Sequence, residues 1–225
     1  RPGDHRSYRA VVDAQSGAVL ELYDTNQYST AAVTGGIYPN TNTDAETNVP
    51  LPNLSVNNRF SQKVTDDNGE YSYSGGFALS KLAGPLVQTS DTCGGGLLFN
   101  SSTGNLDFGT SGGTDCTTPG TGGQGNTHAS RTAFFQLNRV KEVAASFLPT
   151  NTWRPTQLTA RTNLSQTCNA FWDGSRVNFF KSGGGCANTG EIAAVMIHEF
   201  GHGLDQNTGG AAADGGSGEA LGDIT

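Results

Sequence analysis

The chain has 225 residues, enough for one large domain or two small ones. Hydrophobic residues are 34% and charged residues 15%, both low, while Gly alone contributes 32. The net charge of −7 argues against nucleic-acid binding, and no apolar stretch is long enough to span a membrane. This composition suits a secreted, extracellular or cell-surface, loop-rich and largely β chain whose polarity comes from neutral side chains.

The four cysteines, Cys93, Cys116, Cys168 and Cys186, form no C-x-x-C pair, which argues against a cysteine zinc site or a thioredoxin-type motif. Four cysteines allow three pairings. The short-range one, Cys93–Cys116 with Cys168–Cys186, closes two Gly-rich loops and is the pairing expected here; it implies an oxidising compartment. Free buried thiols are the competing reading.

In chain order, Tyr8–Tyr23 reads as a β-hairpin, with two apolar runs flanking the turn residues Asp13-Ala-Gln-Ser-Gly17. Residues 1–36 are therefore taken as one hairpin unit. Residues 37–120 form a second, β-rich unit. Within it Gln62–Tyr73 gives two strands around an Asp-Asn-Gly turn, and Leu51–Val56 and Gly84–Gln88 flank them. A small β-sandwich of the carboxypeptidase-regulatory type and a plain β extension of the main domain are both open. The third unit, residues 121–225, opens with a helix from about Thr127 to Phe147, where apolar residues recur every three or four positions and Pro149 ends the run. His128, at its start, is read as a polar residue at a helix end rather than a ligand.

Leu158–Leu164 reads as a strand, and Asn169–Phe180 as a hairpin turning at Asp173-Gly174. A further helix then starts, with Asn188 as N-cap and Glu191 completing a capping box. Ile192, Val195, Met196 and Phe200 give this helix a buried face. It carries His198-Glu-Phe-Gly-His202, an H-E-x-x-H pattern. Positions i and i+4 share one helix face, so the two imidazoles can chelate one Zn2+, with Glu199 beside the open position. Histidines and a glutamate on a buried helix are costly unless bound to something, which favours metal over two solvated side chains.

A catalytic zinc needs a third protein ligand. The spacing H-x-x-G-x-x-H is absent, since Asp205 and Thr208 stand at those positions. Glu219, 17 residues after His202, is the candidate, after a Gly/Ala-rich connection. Asp223 lies one helical turn further and can accept the second ring proton of a zinc-bound histidine.

His198–His202 followed by Glu219-Ala-Leu-Gly-Asp223 resembles the glutamate-zincin (gluzincin) metalloprotease pattern, and Asn169-Ala-Phe-Trp resembles the hairpin that precedes the active helix in thermolysin-like enzymes. The Gly-rich chain and H-E-x-G-H-G are similar to bacterial relatives of the fungalysins. The first hairpin, Tyr8–Tyr23, weakly resembles the tail of an inhibitory propeptide or the first strands of the enzyme. The resemblance implies an α+β fold: a β-rich N-terminal part, then the N-terminal lobe of a thermolysin-like zincin, with a mixed sheet and an active-site helix. It also implies zinc ligands His198, His202 and Glu219, Glu199 as general base, and a polypeptide substrate bound as an extra antiparallel strand along Asn169, Ala170 and Phe171. For Trp172 a core role is favoured. Ca2+ is compatible with such a chain, but no residue pattern assigns it a site.

The chain starts at Arg1 without an initiator Met or signal peptide and stops inside an expected helix, so a processed form lacking a C-terminal helical lobe is expected. Residues 203–225 contain no Tyr, His, Lys or Arg to stabilise an oxyanion, so this segment alone is expected to be poorly active. The competing classes are a catalytically silent surface protein that reuses the fold and a structural zinc site; neither needs Glu199.

Overall fold

The computed structural model describes residues 8–24, 29–59, 61–93, 99–109, 126–209 and 215–224. Fourteen strands and three helices make a mixed α+β fold among these residues. The strands are β1 (Tyr8–Val12), β2 (Val19–Asp24), β3 (Ser29–Ile37), β4 (Thr47–Pro50), β5 (Ser55–Asn58), β6 (Ser61–Val64) and β7 (Glu70–Tyr73). They continue with β8 (Ala78–Ser80), β9 (Val87–Asp91), β10 (Phe99–Ser101), β11 (Leu106–Asp107), β12 (Leu158–Leu164), β13 (Ala170–Trp172) and β14 (Arg176–Phe180). The helices are α1 (His128–Phe147), α2 (Ala193–Thr208) and α3 (Gly215–Ile224).

The sheet that positions the site has the order β13-β14-β12-β9. β12 runs parallel to both β9 and β14, and β13 is antiparallel to β14 at the edge. The passage from β9 to the parallel β12 is a long crossover that includes α1, as parallel neighbours need a crossover rather than a tight turn. α1 starts where the sequence says it should: the Thr127 side chain accepts a hydrogen bond from the Ser130 N–H at the N-cap. Ala133, Phe134 and Leu137 are fully buried along its length. Its start also holds Arg131, which has no exposed surface and donates to Glu46, the Gly36 carbonyl and the Asn126 carbonyl.

One hydrophobic cluster runs from Ala31 to Phe200, and strands of the 37–107 region share it with α1, β12–β14 and α2. The strands of that region divide among three sheets. The Asp-Asn-Gly pattern suggests that β6 and β7 pair with each other, but they do not. The turn is present, with Gly69 at φ +69° and the Asp66 N–H bonded to the Glu70 carbonyl. The two strands then diverge, β6 to β5 and β7 to β3. Tertiary partners override the local hairpin: paired with β3, β7 has Tyr71 and Tyr73 buried, with their hydroxyls donating to the Gly104 and Ser102 carbonyls.

β1 and β2 form the expected antiparallel hairpin, capped by the Asp13 carboxylate, which accepts from the Gln15 and Ser16 amides. Its apolar side chains are exposed. The second hairpin, β13–β14, turns one residue later than expected. Asp173 and Arg176 close it through an N–H to carbonyl bond, so Gly174-Ser175 are its central residues, with Gly174 at φ +92°. Burial alone would raise the Asp173 carboxyl, but it accepts from the Ser175 hydroxyl and from the Ser175 and Arg176 amides, which hold it down at about 2.

Cys168 and Cys186 form a disulfide, and no described cysteine is free. Cys93 is disulfide-bonded, and Cys116, its expected partner, lies outside the described residues. So does the Gly/Ala-rich connection at 210–214. Among the described residues no helix is long and apolar enough to cross a membrane.

Candidate metal centre

α2 begins later than the capping-box pattern suggests. Asn188 does accept a hydrogen bond from the Gly190 N–H, but it caps a short 3-10 turn, Thr189–Glu191. The helix proper starts at Ala193, after Ile192, which makes no side-chain cap. The Asn40 carbonyl accepts from the Ala193 N–H instead, so a loop distant in sequence satisfies one of the open amides at the helix start. α2 ends at Gly209, whose φ of +87° is the left-handed conformation that glycine supplies.

The buried face of α2 explains its placement. Met196 and Phe200 have no exposed surface. Trp153 stacks on Phe200 at 5.7 Å and 27°, and meets Trp172 edge-on at 5.7 Å. Gly203 is required there: a Cβ would come within 2.8 Å of the Trp153 ring. Trp172 is half-buried against the core, as favoured from sequence, and its indole N–H donates to Gln206 Oε1 at 2.6 Å. This bond ties the edge strand β13 to the last turns of α2.

His198 and His202 then share the opposite, half-buried face. Their Nε2 atoms lie 2.9 Å apart. The Glu219 carboxylate of α3 approaches both, with Oε2 3.1 Å from His198 Nε2 and Oε1 3.8 Å from His202 Nε2. One ligand atom from each of the three residues lies within 4.8 Å of the others. On the other ring nitrogen, His198 Nδ1 is 2.9 Å from Asp223 Oδ1. A carboxylate there keeps the ring proton on Nδ1 and leaves the Nε2 lone pair facing inward. Two imidazole lone pairs at 2.9 Å with a carboxylate oxygen beside them repel unless something positive stands between them. A shared proton satisfies two of these atoms; a metal ion satisfies all three. The donor set, two imidazoles and one carboxylate with room for a fourth ligand, fits zinc.

The two carboxylates are exposed, with 67% of the Glu219 side chain and 74% of the Asp223 side chain open to solvent. Glu199 is the opposite case: it is buried beside His198. Burial raises its carboxyl above the ordinary range, and the Glu219 charge adds to this; the His198 charge and a hydrogen bond from the Trp172 backbone N–H pull it back only in part. That bond occupies one outward amide of β13. Residues alternate along a strand, so Ala170 is the other β13 residue whose backbone faces the same way as Trp172.

An open groove of about 370 Å³ brings these parts together; Asn169, Ala170, Val195, His198, Glu199 and Asp223 all line it. Asn169 and Ala170 thus line the same groove as the candidate ligand His198. Phe171 faces away from the groove lining, 37% exposed, with its ring edge-on to Phe180 at 5.7 Å. His128 stands apart from the cluster. It is buried rather than solvated, with Nδ1 bonded to the Tyr38 hydroxyl at 2.9 Å and Nε2 3.3 Å from Glu46 Oε1. Burial lowers its pKa below the ordinary value, the nearby Glu46 opposing this.

Two residues of the site were not singled out from sequence. Gln206 anchors Trp172, and nothing in a lone Gln near a helix end signals that. Gly222 lets α3 approach α2: a Cβ there would fall 2.9 Å from His198 Cε1 and Nδ1. A glycine inside a short helix weakens it, which is a readable signal that something packs closely against it. No protein-family model matches the chain, and neither does any curated protein.

Proposed function

We propose that the protein is a secreted zinc metalloendopeptidase of the glutamate-zincin, thermolysin-like or fungalysin-like type. The observation that carries the reading is the cluster of His198, His202 and Glu219, backed by Asp223, whose member His198 lines a groove together with Asp223 and the buried Glu199. His198, His202 and Glu219 would hold the ion. When bound, zinc supplies Lewis acidity, bringing the pKa of water down to about 7 and polarising the scissile carbonyl.

The chain's own residues supply the rest. Asp223 holds the His198 ring in the tautomer that presents Nε2. The Glu199 carboxylate takes the proton of the attacking water and passes it to the leaving amine nitrogen. The open edge of β13 receives the substrate as an added antiparallel strand, and Ala170 offers the backbone groups that Glu199 leaves free. The disulfide and the neutral, Gly-rich composition support an extracellular setting.

A catalytically silent protein that keeps the zinc site is the second reading, which the β-rich front half and the Gly-rich composition would suit. Casein hydrolysis with zinc analysis decides. The proposal expects about one zinc per chain and hydrolysis that Glu199→Gln removes while zinc stays bound. Zinc at that level with no hydrolysis by the full-length protein favours the silent reading.

A further inference from the structure

We infer that the Cys168–Cys186 disulfide is a positioning element of the substrate edge, holding Asn169 and Ala170 against the groove beside His198 and Glu199. Its kinetic consequence rests on the peptide-hydrolysis reading; its structural consequence does not.

β13 is only three residues long and pairs with one strand, β14. A short edge strand with one partner has few bonds to hold its start. Cys168 lies directly before Asn169, is exposed, and has φ +62°, a conformation that L side chains rarely adopt and that the surroundings must maintain. Those surroundings are the loop 183–186. Gly183 and Cys186 exchange two backbone hydrogen bonds of 3.0 Å, which shapes the loop into a tight turn. Gly183 and Gly184 pack on Thr167 so closely that a Cβ on Gly183 would meet its methyl at 2.7 Å. One hydrogen bond adds to this contact, from Thr189 Oγ1 to the Asn169 carbonyl at 3.0 Å. The disulfide is the covalent link in this set, joining positions 18 apart in sequence. Cys168 itself lines the groove with Asn169 and Ala170. The bridge therefore fixes the entrance of β13 to the segment that leads into α2, on which the candidate ligands stand.

Cys168→Ser/Cys186→Ser in the full chain is the test, read by amide hydrogen exchange and by steady-state cleavage of a casein-derived fluorogenic peptide. Protection is expected to fall at residues 169–172 and to stay unchanged along α1 and across 196–204 of α2. Zinc content is expected to stay at the wild-type level. KM is expected to rise by about 10- to 100-fold with little change in kcat, as for a binding edge that has lost its placement. A water-soluble phosphine gives an independent arm on the wild-type protein. It breaks the S–S bond, gives both sulfurs up as thiols with protons from water, and is itself oxidised to the phosphine oxide. The same loss of protection at 169–172 is expected, and no added loss in the double variant. Unchanged protection at 169–172 in both arms overturns the inference. So does loss that extends through α1 and α2, which makes the bridge a staple for the whole fold. If the wild type proves to have no hydrolytic activity, the functional reading fails, and the exchange data still decide the placement claim.

Discussion

The two helices that meet at the candidate centre are built differently. α2 is anchored along its apolar face and near its end: Met196 and Phe200 are buried, Trp153 and Trp172 pack around Gly203, and Gln206 is tied to the edge strand. α3 contributes Glu219 and Asp223 from an exposed face, and its close approach depends on Gly222. The histidines therefore stand on a packed scaffold, whereas the carboxylates are placed by α3 alone. Burial of a helix is secured by its own sequence pattern. An exposed acidic pair, by contrast, gains little from facing a histidine in water unless a cation binds between them.

That contrast can be broken most sharply by comparing ligands across it. If Glu219 completes the site, Glu219→Ala costs zinc affinity on the same scale as His202→Ala. Both losses should exceed the roughly 10- to 100-fold typical of an outer partner. Zinc titration against a competing chelator reads this. A Glu219→Ala protein with wild-type affinity returns Glu219 to the solvated face of α3.

Asp223→Asn is the next largest effect. It removes the acceptor of the His198 Nδ1 proton, so zinc affinity or turnover should drop about 10- to 100-fold without loss of the fold. Gly222→Ala should act in the same direction and more weakly. Its Cβ pushes α3 off the His198 ring, and zinc affinity should fall while the thermal midpoint moves little.

The smallest effect lies away from the centre and concerns acid. His128 has a folded pKa below its ordinary 6.5 because it is buried. Below pH 6.5 the unfolded chain binds the proton first, so this contribution to stability is present above 6.5 and is lost as pH falls through the lower folded value. Urea unfolding between pH 7 and 5 should show that decline, and His128→Asn should flatten it.

How far the chain reveals itself follows the same division. α1 and the β13–β14 hairpin were legible because their signals are local: an apolar period ended by Pro149, and aromatic and β-branched runs around a Gly turn. The hairpin was off by one residue because Asp173 suits both a turn corner and the position before it. The paired reading of β6 and β7 failed because strand partners are chosen by the tertiary surface, which a local Asp-Asn-Gly turn does not encode. The start of α2 was misjudged for a related reason. Asn188 has the chemistry of a cap, yet the amide of Ala193 finds its acceptor on Asn40, about 150 positions upstream. The candidate ligands were readable from spacing, because chelation imposes an i, i+4 pair. Gln206 was not, since a hydrogen bond to one indole leaves no period in the sequence.

The most direct measurement strips the full-length protein with a phenanthroline-type chelator, removes the chelator and adds zinc back while following peptide cleavage. The account predicts that hydrolysis disappears with the metal and returns at about one zinc per chain in the wild type, and does not return in Glu199→Gln although that variant rebinds zinc. Cleavage that persists in the metal-free protein, or that returns equally in Glu199→Gln, would contradict it.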